Sequence, residues 1–98
     1  MVKQMRFLVL LLGAMALSSL AFAQKTVTGT VTDANNGDPL PGANIKVKSA
    51  PSKGTITDFE GNYSITVEEG QTLVFSFVGY NEKEVQIGEQ DVVNVVLS

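Results

Sequence analysis

Two kinds of side chain in this sequence are spaced for chemistry. Carboxylates stand in close pairs at Glu68/Glu69, Glu82/Glu84 and Asp58/Glu60, the arrangement glycoside hydrolases use for general acid and base. Hard oxygen ligands also gather on glycine-containing turns, as Asp33-x-Asn35 with Asp38 and as Asp58-x-Glu60 with Asn62, the ligand type that calcium takes.

Each pattern has a structural reading, and that reading is the expected one. The paired carboxylates fall on predicted turns and solvated faces, where no burial raises a pKa into the acid–base range. Neither calcium candidate matches the twelve-residue calcium loop, and Asp and Asn occupy such positions simply to close side-chain-to-backbone turns. Histidine and cysteine are both absent, which removes Cys/His nucleophiles, imidazole acid–base catalysis and soft-ligand metal sites. The expectation is a module that is not an enzyme and carries no cofactor, metal or catalytic residue.

Phe59, Tyr63, Phe75, Phe77 and Tyr80 are the types that make a stacking platform for a sugar or peptide. Period-two placement turns Tyr63, Phe75 and Phe77 toward a core. Phe59 sits at a turn tip and is therefore the candidate ligand or partner contact.

These residues are positioned by strands. After Gln24 no window keeps apolar residues at helical spacing, while short runs rich in Val, Ile, Thr, Phe and Tyr recur between turn residues. Residues 25–32 alternate Val27, Gly29 and Val31 against threonines, with Gly29 marking a bulge or a close backbone approach. Residues 33–42 read D-A-N-N-G-D-P-L-P-G, a long ordered connection. Ala43, Ile45 and Val47 form a second strand whose outer lysines discourage edge pairing.

Residues 49–53 read as an exposed loop around Pro51, and 54–57 as a short third strand. The turn at 58–61 is expected to fold that strand back on a fourth, 62–67, as a hairpin. Residues 72–78 are apolar on both faces and hence central. Val85 and Ile87 mark a sixth strand, and 92–97 a seventh. About seven strands in so short a chain argue for two packed sheets, an all-β sandwich. One edge of such a sandwich is available to accept a strand from a neighbour.

Residues 1–23 carry Lys3 and Arg6 ahead of an apolar run that closes on Ala21-Phe22-Ala23. They read as a cleavable signal peptide, too short in its apolar run to span a bilayer. Residues 24–98 then form one domain. All ten acidic residues follow position 23, while two of the seven basic ones precede it, leaving five against ten and a charge of about −5. Nucleic acid and anionic lipid are unfavourable partners for such a surface. With no cysteine at the expected cleavage site, neither a lipid anchor nor direct membrane insertion by the mature segment is expected.

Four blocks in order, V-T-G-T-V-T-D at 27–33, G-D-P-L-P-G-A-N-I-K-V at 37–47, G-T-I-T-D-F-E-G-N-Y-S-I at 54–65 and L-V-F-S-F-V-G-Y at 73–80, resemble the carboxypeptidase-regulatory-like domain at the N-terminus of SusC/RagA-type TonB-dependent outer-membrane transporters. The resemblance implies a seven-strand transthyretin/prealbumin-like β-sandwich, exported and lying in the periplasm ahead of a plug and a barrel. It implies no peptidase activity, because in metallocarboxypeptidases this unit accompanies a separate zinc-binding catalytic domain. Lys25 and Asn94 also match in placement the isopeptide-forming pair of pilin-like sandwich modules, although that bond needs a buried carboxyl neighbour.

Two functional expectations follow. In the first, the chain is a fragment of a nutrient transporter for glycan or peptide, a docking or regulatory domain whose partner is a periplasmic protein or the rest of its own chain. In the second, it is a free-standing exported module that binds a glycan or protein through its end loops, Phe59 included.

Overall fold

The structure is a computed structural model and is described for residues 23–98. Apart from Ala23, the expected signal peptide lies outside the described residues. Seven strands follow one another: β1 (Gln24–Asp33), β2 (Asn44–Val47), β3 (Ala50–Ile56), β4 (Asn62–Glu68), β5 (Thr72–Ser76), β6 (Lys83–Gln86) and β7 (Val95–Leu97). They form a three-stranded sheet in the order β4-β1-β7 and a four-stranded sheet in the order β3-β2-β5-β6. The β-sandwich expected from the strand pattern is thus present, and no helix occurs among the described residues.

Alternation builds the core. Val27 and Val31 on β1, Ile45 on β2, Leu73 and Phe75 on β5 and Leu97 on β7 are buried between the sheets. Each such side chain contributes roughly 1.5–3 kcal/mol of transfer free energy, which is how a chain without disulfides holds two small sheets together. Tyr63 of β4 meets Phe75 of β5 edge to face, with ring centroids 5.4 Å apart at 72°, so one aromatic pair spans the two layers. On β1 the intervening Thr26 and Thr28 remain exposed.

Gly29 makes a close backbone approach, one of the two roles expected of it. A Cβ there would lie 1.8 Å from the Val93 carbonyl oxygen, so only glycine lets the chain before β7 pass over β1. Val93 N–H donates to Thr28 O at 2.8 Å at the same crossing.

Several local expectations are corrected. β3 and β4 are not a hairpin: β3 pairs with β2 and β4 with β1, in different sheets. Gly61, at φ +78°, packs against the Val31 carbonyl and Pro39, so the turn before it carries the chain across to the opposite layer. Alternating burial is the same whether two strands lie side by side or face each other, and the sequence pattern does not separate these cases.

Residues 50–53, read as loop, belong to β3, where Pro51 is tolerated because β3 is an edge strand. The lysine-bearing β2 is an interior strand paired on both sides. Its lysines face solvent off the plane of the sheet, which does not bear on its edges. β5 is interior as expected but ends at Ser76, so Val78 lies on a turn, exposed, instead of on a strand face. At the far end, β7 is confined to Val95–Leu97, with Val92 making only an isolated bridge to Thr28.

Candidate functional site

Three connections and the last residue gather at one end of the sandwich: residues 34–43 after β1, 57–61 after β3, 77–82 after β5, and Ser98. They meet there because β1, β3, β5 and β7 all run toward that end. Asn81 N–H donates to Ser98 O at 2.8 Å, and Ala34 N–H to Leu97 O at 2.9 Å.

Thr57 is the knot of this end. It is buried, its hydroxyl donates to the Leu40 carbonyl and accepts from Ala43 N–H at 2.9 Å, and its own carbonyl accepts from Gly42 N–H at 3.1 Å. One side chain thereby holds the whole 40–43 turn, in which Pro39 and Pro41 restrict the backbone that leads into Gly42 at φ +80°. Nothing in the strand alternation singles out Thr57; its signal is a threonine on an inward-facing position.

The two calcium candidates are turn formers. Asp33 Oδ1 accepts from Asn35 N–H at 2.8 Å, and its other oxygen accepts from the Tyr80 hydroxyl. Asp58 Oδ1 accepts from Glu60 N–H and Asn62 N–H, both at 2.9 Å. These carboxylates are committed to their own backbone and to Tyr80. Among the described residues no three His, Cys, Asp or Glu side chains converge as a metal site would need.

Asp33 closes its turn as expected and is in addition largely buried, only 9% exposed. The Tyr80 hydroxyl first, and then the Asn35 N–H, hold its carboxyl below the usual carboxylate range, against the opposing effect of burial. The same bond, with burial and the Asp33 charge, pushes the Tyr80 hydroxyl up. A carboxyl held ionised is the opposite of a general acid. Tyr80 further packs edge to face on Phe77, with centroids 5.6 Å apart.

Lys25 and Asn94 are not brought together. Lys25 Nζ donates to Gly88 O at 3.0 Å and pairs with Asp91 at 3.3 Å, whereas Asn94 Oδ1 accepts from Thr30 N–H at 3.0 Å. The lysine lies near the start of β1 and the amide beside its middle, so an isopeptide bond has no geometry here.

Of the five aromatic candidates, Tyr63 and Phe75 are buried and Phe77 and Tyr80 half-buried, while Phe59 is 95% exposed at the tip of the 58–61 turn. Sequence reasoning did not foresee Val78, 93% exposed on the 77–80 turn at the same end of the sandwich. The Pro41-Gly42 turn lies between them: Gly42 is bonded to Thr57 on one side, and a Cβ on it would reach the Phe77 ring at 3.9 Å on the other. Two bare apolar side chains on tied-down turns are suited to contact with another surface.

Comparison with known proteins agrees with this architecture. The chain is 42% identical over 93 residues to the TonB-dependent receptor SusC of Bacteroides thetaiotaomicron, covering 94% of this chain and 9% of the receptor. It is 42% identical over 76 residues to the TonB-dependent receptor P39 of Formosa agariphila, covering 76% of this chain and 7% of that receptor. The chain therefore spans under a tenth of the length of the curated relatives it matches. The family model of the CarboxypepD_reg-like domain matches residues 27–98, which takes in all seven strands except the first three residues of β1, and the chain belongs to the CarboxypepD_reg-like domain family.

Proposed function

We propose that this chain is the non-catalytic periplasmic N-terminal domain of a TonB-dependent outer-membrane transporter for glycan or peptide nutrients. In this reading residues 1–23 direct export and are removed, and residues 24–98 dock on, or regulate, the receptor body or a periplasmic protein. The observation that carries the reading is the alignment with SusC: at 94% of this chain it takes in most of residues 1–23 as well as the sandwich, which supports reading the two as one unit. The commitment of Asp33 and Asp58 to hydrogen bonds within the fold supports a role without chemistry. The docking surface in this reading is the end that bears Phe59 and Val78, which also holds Ser98.

The first test is to sequence the gene downstream of codon 98: an open frame leading into plug and barrel patterns is expected, and a stop codon there overturns the reading. The second is growth on the transporter's nutrient. Deleting residues 24–98 while retaining the leader is expected to slow uptake, and Phe59→Ala to reproduce part of that loss with the receptor still inserted.

The exposure of Phe59 favours one alternative, a free exported module that binds a glycan or protein through the same end. It predicts saturable binding to a glycan panel that Phe59→Ala abolishes without changing the melting temperature, and a panel with no binder removes it.

A further inference from the structure

Of the four sheet edges among the described residues, three are guarded. β3 carries Pro51 and a register irregularity in which Lys46 faces Gly54 but Val47 faces Ala50, so residues 51–53 have no partner on β2. β6 bears exposed charges at Lys83 and Glu84, and β7 is only three residues long. β4 is seven residues long, regular in register, and free of proline, glycine and lysine. By the rules that keep natural sheets from pairing with strangers, β4 alone is left open.

The open groups can be named. Val31 N–H donates to Gly61 O at 2.9 Å, one step beyond the Thr30–Asn62 pair. In an antiparallel ladder bonding residues alternate, so Tyr63, Ile65 and Val67 turn their backbone groups toward β1, and Asn62, Ser64, Thr66 and Glu68 turn theirs outward. Asn62 is already served, its N–H by Asp58 Oδ1 and its carbonyl by Asp58 N–H, both at 2.9 Å. Glu68 N–H donates to Gln71 Oε1 at 2.9 Å, and its carbonyl accepts from Gln71 N–H at 3.2 Å. Among the described residues two donors and two acceptors remain on the edge, those of Ser64 and Thr66.

A cleft of about 480 Å3 opens at this place, between β4 and β3, lined by Lys53, Gly54, Thr55, Ser64, Ile65 and Thr66 among others. No carboxylate lines it, although the chain holds ten. Lys53 is its one cation and takes part in neither salt bridge of the described residues. We propose that the Ser64–Thr66 edge accepts an extended peptide segment by strand addition, and that an acidic side chain of that segment enters the cleft to meet Lys53. Four main-chain hydrogen bonds supply the attachment. The incoming residue opposite Ile65 turns inward, and charge complementarity makes it Asp or Glu. The inference concerns β4 and does not depend on the docking role of the Phe59 end.

The test uses the full-length chain and a capped heptapeptide, Thr-Val-Thr-Asp-Thr-Val-Thr, beside its counterpart with Lys in the central place. Titration followed by 1H–15N spectra is expected to move the Ser64 and Thr66 amides saturably, with the Asp peptide bound about threefold more tightly, as an exposed ion pair allows. Lys53→Glu should reverse that preference. Thr66→Pro should abolish both interactions, because its N–H faces away from β1 and a proline is tolerated there. Amides that stay still at millimolar peptide, or shifts centred on Phe59, overturn the proposal. So does equal binding of the two peptides. Concentration-dependent self-association that moves the same amides without peptide would assign the edge to a second copy of the chain and overturn it also.

Discussion

The Tyr80 hydroxyl donates its hydrogen bond to the Asp33 carboxylate, joining the turn after β5 in one sheet to the end of β1 in the other across 47 residues of chain. Its energetic sign follows from protonation. A carboxyl whose folded pKa is depressed contributes stability that is present above its unfolded value, about 4, and is lost as pH falls toward the folded value. Urea midpoints of the wild-type chain should therefore drop as the pH is lowered below about 4. Tyr80→Phe should start from a lower midpoint at neutral pH and show a shallower acid limb, and an unchanged limb would show that the bond does not set the titration.

Tyr63 makes the opposite prediction at high pH. Its hydroxyl is buried and donates to the Val93 carbonyl at 2.6 Å, and burial pushes its pKa up to about 12. A raised folded pKa means that the folded chain holds the proton more tightly, so stability is fully present below the ordinary tyrosine value of about 10 and is lost as pH rises from there through the folded value. Tyr63→Phe should lose about 1 kcal/mol at neutral pH with the bond, but much of the alkaline decline should vanish with it. Melting temperature against pH from 8 to 12 for the two proteins is the measurement.

Gly29→Ala tests the crossing over β1. The added methyl meets backbone, the Val93 carbonyl, and not the movable end of a side chain. The chain before β7 must then lift away, and β7 pairs with β1 over only three residues. A loss of about 3 kcal/mol or more, or failure to fold, is expected. A variant that melts like wild type would mean that the last strand is not held in this way.

Thr57→Val retains shape and removes the hydroxyl that serves both Leu40 O and Ala43 N–H. Leaving a buried N–H without its partner costs about 1–3 kcal/mol. The effect should be local as well as global. Hydrogen exchange at Gly42 and Ala43 should accelerate, while amides in the middle of β1 slow or hasten only with global stability.

The strand content was open to reading because burial on one face of a strand imposes a period of two on the sequence, and Val27, Val31, Ile45, Val47, Tyr63, Ile65 and Val67 keep that period. The exposure of Phe59 was legible for the converse reason: a large apolar residue between Asp58 and Glu60 on a glycine-ended turn has no strand face to join. The hairpin assigned to β3 and β4 failed because pairing partners are a choice between neighbours at equal local energy. That choice is settled by the close packing of Gly61 against Val31 and Pro39, residues 22 to 30 positions earlier in the chain. Asp33 was legible as a turn former and Tyr80 as one of five aromatics, but not their contact, since nothing local to either residue marks the other as its partner.

Local chemistry is thus what the sequence by itself determined: an all-β chain, its turns, its apolar faces, an acidic surface, and the absence of the side chains most catalysis requires. Those properties depend on residue type and near-neighbour spacing, which the chain carries before it folds. Only the tertiary structure decided which strands are neighbours, that Val78 shares the Phe59 end, that one aspartate is buried against a tyrosine, and that Ser64 and Thr66 keep four backbone groups facing outward. Each of these is set by contacts between segments far apart in the chain, whose relative placement comes from the collective packing of the two sheets.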